Sequence, residues 1–270
     1  YEIPLRLVGS EMCIRDSSKN PASYAATDSL TFIWDVGVDV SQVWSKEGDT
    51  KGNAFSGGLD YLSGVFRIAK NVGGSFGFIP YSSVSYSFNS DLANGSESRS
   101  GNGSISELYL GGAWSPVKGL SVGANFSYMF GTLEHSTAIV GTSTSVFYRM
   151  MEVRDWNVHI GAQYAIDINR KNRVVLGATY TPKKTFRGNT IGTFYDAAND
   201  TKIDTAFQCN MKGNYDQPNT YGVGISYNHG TKLFAEVDFT YQDWANAKYT
   251  PMTGFEPVKV KFDNRWKVSG

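Results

Sequence analysis

The sequence is poor in the features that mark most small secreted or metal-dependent proteins. It has two cysteines, Cys13 and Cys209, far apart and without clustered partners, so neither a disulfide framework nor a zinc site is expected. No charge of one sign dominates: 25 basic and 25 acidic residues cancel, which removes the footprint of a nucleic-acid binder. No apolar run approaches the roughly 20 residues that a membrane-spanning helix requires. A charged segment followed by a sustained apolar core is also missing from the start, YEIPLRLVGSEMCIRDS. The piece LVGSEMCIRDS resembles a translated sequencing-adaptor remnant, so residues 1–17 are expected to be non-native and the true N-terminus to be missing.

What is abundant is aromatic residue (14%) and glycine (29 residues), with only 19% charged. The informative pattern is alternation. In GLSVGANFSYMFG, residues 119–131, the even positions Leu120, Val122, Ala124, Phe126, Tyr128 and Phe130 are apolar and the odd ones mostly small or polar. A period of two is a β-strand separating two environments. Nine further segments give strands at 30–44, 59–70, 74–88, 105–115, 153–167, 172–182, 219–228, 231–243 and from about 258.

The connections separate a soluble sandwich from a membrane barrel. They alternate between short (70–73, 115–119, 167–172, 228–231) and long (45–58, 89–104, 132–152, 183–218, 244–257). Short turns at one end and long loops at the other belong to transmembrane barrels. On that reading Leu120, Phe126 and Tyr128 face lipid, and Trp114, Trp156, Tyr180, Tyr241 and Trp244 form interfacial girdles. The polar partners Asp35, Asn157, His159, Gln163, Glu236 and Asp238 then line a lumen. The fold class is all-β, an antiparallel transmembrane barrel with about ten strands in this chain.

Chemical motifs are sparse. No pattern for nucleophilic catalysis, phosphate cradling or metal binding survives inspection, and no cofactor is expected. His159 beside a lumenal carboxylate is the single enzymatic candidate, for an outer-membrane lipid hydrolase, and a polar wall residue is the more economical reading. Pro80 interrupts the strand GSFGFIPYSSVSYSF (74–88). Proline cannot donate to a ladder, so either a side opening or a curvature-adjusting bulge is expected there.

NPASY (20–24), IPYSSVSY (79–86), SPVKGLSVGANFSYMFG (115–131) and QPNTYGVGISYNHGTKLFAEVDFTYQDWANAKY (217–249) together resemble the FadL-type outer-membrane transporters of long-chain fatty acids and other hydrophobic compounds, in a version like those of Bacteroidetes. The resemblance covers about residues 18–270. It implies a 14-stranded barrel, of which this chain is a fragment, plugged by an N-terminal hatch of which 18–28 is the remnant, with 29–270 as partial barrel. Asn20, Pro21 and Ala22 match the hatch motif. It further implies ligand capture among loops 132–152 and 183–218, a lumenal pocket, and exit sideways at a kink in the third strand, here Gly77 and Pro80.

Ile33, Tyr61, Val65, Ile79, Tyr81, Tyr109, Met129, Met151 and Val153 point inward, and Phe147 and Phe194 lie in the loops. These eleven are the expected ligand-binding residues, since apolar groups among a few polar ones make a pocket for greasy molecules. The implied partners are fatty acids or other hydrophobic small molecules and outer-membrane lipid of a Gram-negative bacterium. The chain is expected to act as a monomer and a non-enzyme. A general diffusion porin or structural barrel is the alternative.

Overall fold

The computed structural model describes residues 20–27, 32–47, 50–93, 95–141, 144–196, 201–210, 215–230, 232–249, 252–253, 256–257 and 260–269. Residues 1–17, expected to be non-native, lie outside the described residues, as do the ends of the expected hatch remnant.

A 3-10 helix, Pro21–Ala26, comes first. Sixteen strands follow: β1 Phe32–Glu47, β2 Thr50–Ala69, β3 Val72–Leu92, β4 Gly95–Val117, β5 Leu120–Val140, β6 Thr144–Asp167, β7 Asn172–Thr181, β8 Lys184–Thr185, β9 Gly188–Asp196, β10 Thr201–Asn210, β11 Asp216–Gln217, β12 Thr220–His229, β13 Leu233–Gln242, β14 Met252–Thr253, β15 Glu256–Pro257 and β16 Arg265–Ser269. Ten of them form one antiparallel wall in the order β1-β2-β3-β4-β5-β6-β7-β12-β13-β16, and β9 joins it on the upper half of β6. Each of the ten segments expected from alternation overlaps one wall strand or, for the last, leads into it.

Neighbours in sequence are neighbours in space, so the tight turns β2–β3, β4–β5, β6–β7 and β12–β13 share one end. The β4–β5 turn needs a residue with φ near +88°, which Gly119 supplies without a Cβ clash. Phe126 is 52% exposed and its cross-face neighbour Met129 is fully buried, so the apolar even positions of β5 do face outward. Val237 is likewise 53% exposed, which rules out a sandwich with these residues between two sheets.

The strands are far longer than a bilayer needs. On β5 the outward apolar run is Leu120–Phe130, and on β6 it is Trp156–Ile166, each matching the roughly 9–11 residues of a tilted transmembrane strand. Above it the outward residues turn polar: Thr132 and Glu134 on β5, Arg154 and Glu152 on β6, the last two joined by an ion pair. The spans 45–58, 89–104 and 132–152, expected as long loops, are therefore mostly strand. The ladders β1–β2, β3–β4 and β5–β6 continue through them as far as Glu47↔Thr50, Leu92↔Gly95 and Val140↔Thr144. Gly, Ser and Asn resemble loop composition, but a ladder satisfied by backbone pairing tolerates them in water as long as both partners extend together.

Candidate functional site

The lumen is occupied at two levels. At the tight-turn end sits the NPASYAA helix, whose Asn20 side chain caps the Ala22 amide (3.2 Å) and donates to Ala162 O (3.3 Å), tying it to β6. Its seat is a row of wall residues without bulk. Gly73, Ala113, Gly123 and Gly161 are successive cross-strand partners on β3 to β6. A Cβ at Gly123 would stand 2.5 Å from Pro21 O, one at Gly161 2.2 Å from Asn20 Oδ1, and one at Gly73 1.8 Å from Tyr24 O. Glycine here lets backbone lie on backbone. Tyr24, 1% exposed, packs above this seat against Val65, Tyr109 and Ala113, with Ile33 and Ile79 at the edge. Gly123→Val is expected to unseat the helix at a cost of about 1–3 kcal/mol, read as new protease cleavage within 20–27 and higher conductance in planar bilayers.

The second level is built from the outer loops. Pro182 follows the end of β7, and the chain turns into the lumen as β8, pairs there with β11, then returns to the wall as β9. Asp216 holds this plug together. It accepts from Thr185 Oγ1 (2.7 Å) and the Lys248 amide (3.0 Å) and meets Lys183 Nζ at 3.2 Å. Burial alone would raise its pKa, but these donors outweigh it and hold the carboxyl below the usual range. A depressed folded pKa gives stability that is full above the unfolded value near ~3.9 and lost as pH falls through the folded one. Hydrogen-exchange protection of the Lys248 amide should therefore be flat from neutral pH to about pH 4 and fail only below it.

Phe186, Tyr215 and Tyr249 of the plug fill the lumen against Ile105, Met129, Leu133 and Val153, with Val84 and Met151 alongside. The excursion leaves the edge of β6 away from β5 without a ladder partner between the end of its β7 pairing at Ile160 and the start of its β9 pairing at Val153. Two donors facing that gap are met locally: Trp156 N by Asp155 Oδ1 (2.8 Å) and Val158 N by Asn157 Oδ1 (2.9 Å). Asp155 also binds Lys184 Nζ (2.7 Å) and the Arg187 amide (3.0 Å), so one buried carboxylate secures both plug and wall.

A second break is not closed in this way. β2 and β3 pair from Ala69↔Val72 only as far as Leu62↔Phe78, while β3 continues to Leu92 paired with β4, and β2 continues to Thr50 paired with β1. The wall is split from Ile79 upward. The rung Pro80–Ser106–Phe130–Arg154 marks the top of the apolar band, so the root of the split lies just inside it. Pro80 brings no donor, and the register with β4 shifts between Pro80 and Ser82, leaving Tyr81 as the bulged residue. Tyr81 meets Phe186 of the plug edge-on, with ring centroids 6.5 Å apart.

The expected ligand residues thus fall into groups. Met129, Met151 and Val153 belong to the upper cluster; Ile33, Val65, Ile79 and Tyr109 surround Tyr24; Tyr81 sits at the split. Tyr61 is turned to Asp35, its hydroxyl 2.8 Å from Oδ2. Phe147 and Phe194 are cross-strand partners on the wall extension and join neither cluster. Gly77 is paired on both sides, with Ser63 and Tyr109, and what it provides is room for the Tyr109 ring, 2.7 Å from where its Cβ would be. His159 lies with Nδ1 2.7 Å from Thr181 Oγ1, linking β6 to β7 one rung beyond their last pair. Sequence reasoning missed Ile105, Leu133, Phe186, Tyr215, Tyr249, Asp155 as an anchor and Glu107.

Solved structures with this architecture include the toluene transporter TbuX of Ralstonia pickettii (12% identical, 93% of this chain and 75% of that one covered, TM-score 0.60). A FadL homologue of Pseudomonas aeruginosa gives 11%, 92%, 69% and 0.60, and the P. putida toluene transporter TodX 13%, 92%, 71% and 0.53. At these identities the likeness is one of fold: a FadL-type outer-membrane β-barrel. No curated protein matches the sequence. The family model for BamG matches residues 11–269, nearly the whole length, and the chain belongs to the BamG family on a barrel of FadL type.

Proposed function

We propose that the protein carries hydrophobic compounds through the outer membrane, taking them in among the strand extensions, passing them through the lumen and releasing them sideways. The observation that carries this reading is the β2–β3 split, rooted at Leu62↔Phe78 within the apolar band. An unpaired backbone group in hydrocarbon costs several kcal/mol, roughly, so a wall that spans a bilayer keeps such an edge only where something other than lipid tails passes or shields it. The upper cluster supplies a greasy surface directly inside the split, and Tyr81 connects the two. A lumen occupied by hatch and plug does not suit a general diffusion porin, which needs an open aqueous bore. The proteins of similar fold are described as toluene transporters or monoaromatic hydrocarbon channels, which supports small aromatic compounds as cargo; fatty acids remain in the proposed class. The protomer works alone, since each barrel contains its own path.

The test is uptake by Gram-negative cells expressing the chain in their outer membrane, with labelled toluene, oleate and maltose compared. Accelerated uptake of the hydrophobic compounds with unchanged maltose entry is the expected result. Maltose entry without a gain for the others would return the protein to the porins.

A further inference from the structure

Between the hatch cluster and the upper cluster lies a single rung of lumenal residues: Ile79, Glu107, Met129 and Asp155, successive cross-strand partners on β3 to β6. Ile79 is the first β3 residue beyond the last β2 pair, so this rung is the sill of the split. Two of its four members are carboxylates with different surroundings. Asp155 is neutralised by Lys184. Glu107 is hydrogen-bonded by the Ser127 hydroxyl, and it has no cation in ion-pair range among the described residues. Ser127 itself is 2% exposed, so the carboxyl is held from the wall side and turned to the path. A molecule moving from Met129 and Ile105 to the split passes it.

Resting on the transport reading above, we propose that Glu107 is a charge filter at the sill, which admits neutral apolar compounds, favours those that donate a hydrogen bond, and disfavours carboxylates. A negative group brought into a low-dielectric path beside an unpaired carboxylate loses water and gains repulsion, whereas a hydroxyl can donate to Glu107 as Ser127 does. The cargo class narrows accordingly to hydrocarbons, alcohols and phenols, and a fatty acid would have to cross in its protonated form.

Binding of benzyl alcohol and benzoate, which share a ring and differ in charge, is to be compared by ligand-observed NMR on the full chain in nanodiscs, with empty nanodiscs as blank. Wild-type protein should prefer the alcohol by at least about tenfold, a difference of about 1.4 kcal/mol. Glu107→Gln keeps the size and a partner for Ser127, and should abolish most of that preference by strengthening benzoate binding. Glu107→Met serves if the amide variant does not fold, with the same expectation. Equal binding of the two probes to wild type overturns the filter while leaving the transport reading intact, and so does an unchanged preference in the variants. If neither probe binds, the transport reading falls and the filter with it.

Discussion

Oxidising the double variant Tyr61→Cys/Ile79→Cys should stop uptake of hydrophobic compounds, with a fall of at least about tenfold, and reduction should restore it. Continued in register, these two positions would form the next rung above Leu62↔Phe78, where the β2–β3 ladder ends. A disulfide requires Cα atoms roughly 4.4–6.8 Å apart, so its formation extends the pairing by one rung and raises the sill to the top of the apolar band. Both side chains are also changed in the reduced protein, which makes that form the internal control for any loss of binding surface. Surface binding should persist in both states, because the upper cluster lies above the staple. Full uptake in the oxidised form would send the cargo down the barrel axis.

Removing the Asp155 carboxylate should be the most damaging single change in the lumen. Asp155→Ala deletes the Lys184 partner, the Arg187 amide acceptor and the cap on the Trp156 amide together. The carboxylate is nearly inaccessible, with the aspartate side chain 1% exposed, so breaking this pair belongs in the range of about 3–5 kcal/mol. The plug has few other ties to β6, one being Gln217 Nε2 to Asn157 Oδ1 at 3.4 Å. Release of β8 and β11 should appear as a lower unfolding temperature in detergent and as a larger, noisier bilayer conductance. Asp155→Asn keeps an Oδ1 acceptor for the Trp156 amide while losing the charge, and should show the smaller effect. An unchanged conductance in Asp155→Ala would mean that the plug is held by the Asp216 network alone.

Much of the wall was legible because lipid imposes one rule on every strand that crosses it. Leu120 to Phe130 and Trp156 to Ile166 carry that rule plainly, and the ends expected at 119 and 167 lie within one residue of where β5 begins and β6 ends. The rule inverts where strands leave the membrane. On β4 Leu108 and Leu110 point out, but Ile105 points in between the polar Ser104 and Ser106; on β5 Phe130 points out and Leu133 in; on β6 Trp156 points out and Val153 and Met151 in. A slip of phase reads as an end of strand when only outward apolar residues are sought, so Leu133 and Met151 of the upper cluster fall in the span expected as loop, while Ile105, Met129 and Val153 fall within expected strands. The plug was hidden for another reason. TPKKTFRG and YDQP have no periodicity at all, and only the structure brings Phe186 and Tyr215 beside Met129. The hatch seat lies between these cases: the NPA motif was visible, while the glycines beneath it acquire meaning only once cross-strand register puts Gly123 opposite Gly161.

The split also gives Pro80 a more specific part than a generic kink. It stands at the top of the apolar band, two rungs above the last β2 pair, where a strand that cannot donate is least expensive to leave unpaired. Pro80→Val would return a donor there, but the chain of β2 above Leu62 already runs with β1, so the edges would still have to approach before they could pair.

The central claim, that cargo leaves through the wall between β2 and β3, is tested most directly by locating a bound molecule. Crystals of the protein soaked with bromobenzene, measured at the bromine absorption edge, should show anomalous density inside the upper cluster and a second peak at the split between Ile79 and Tyr81. Density confined to the lumen axis, running from the plug past Tyr24 toward the tight-turn end with none at the split, would contradict the account.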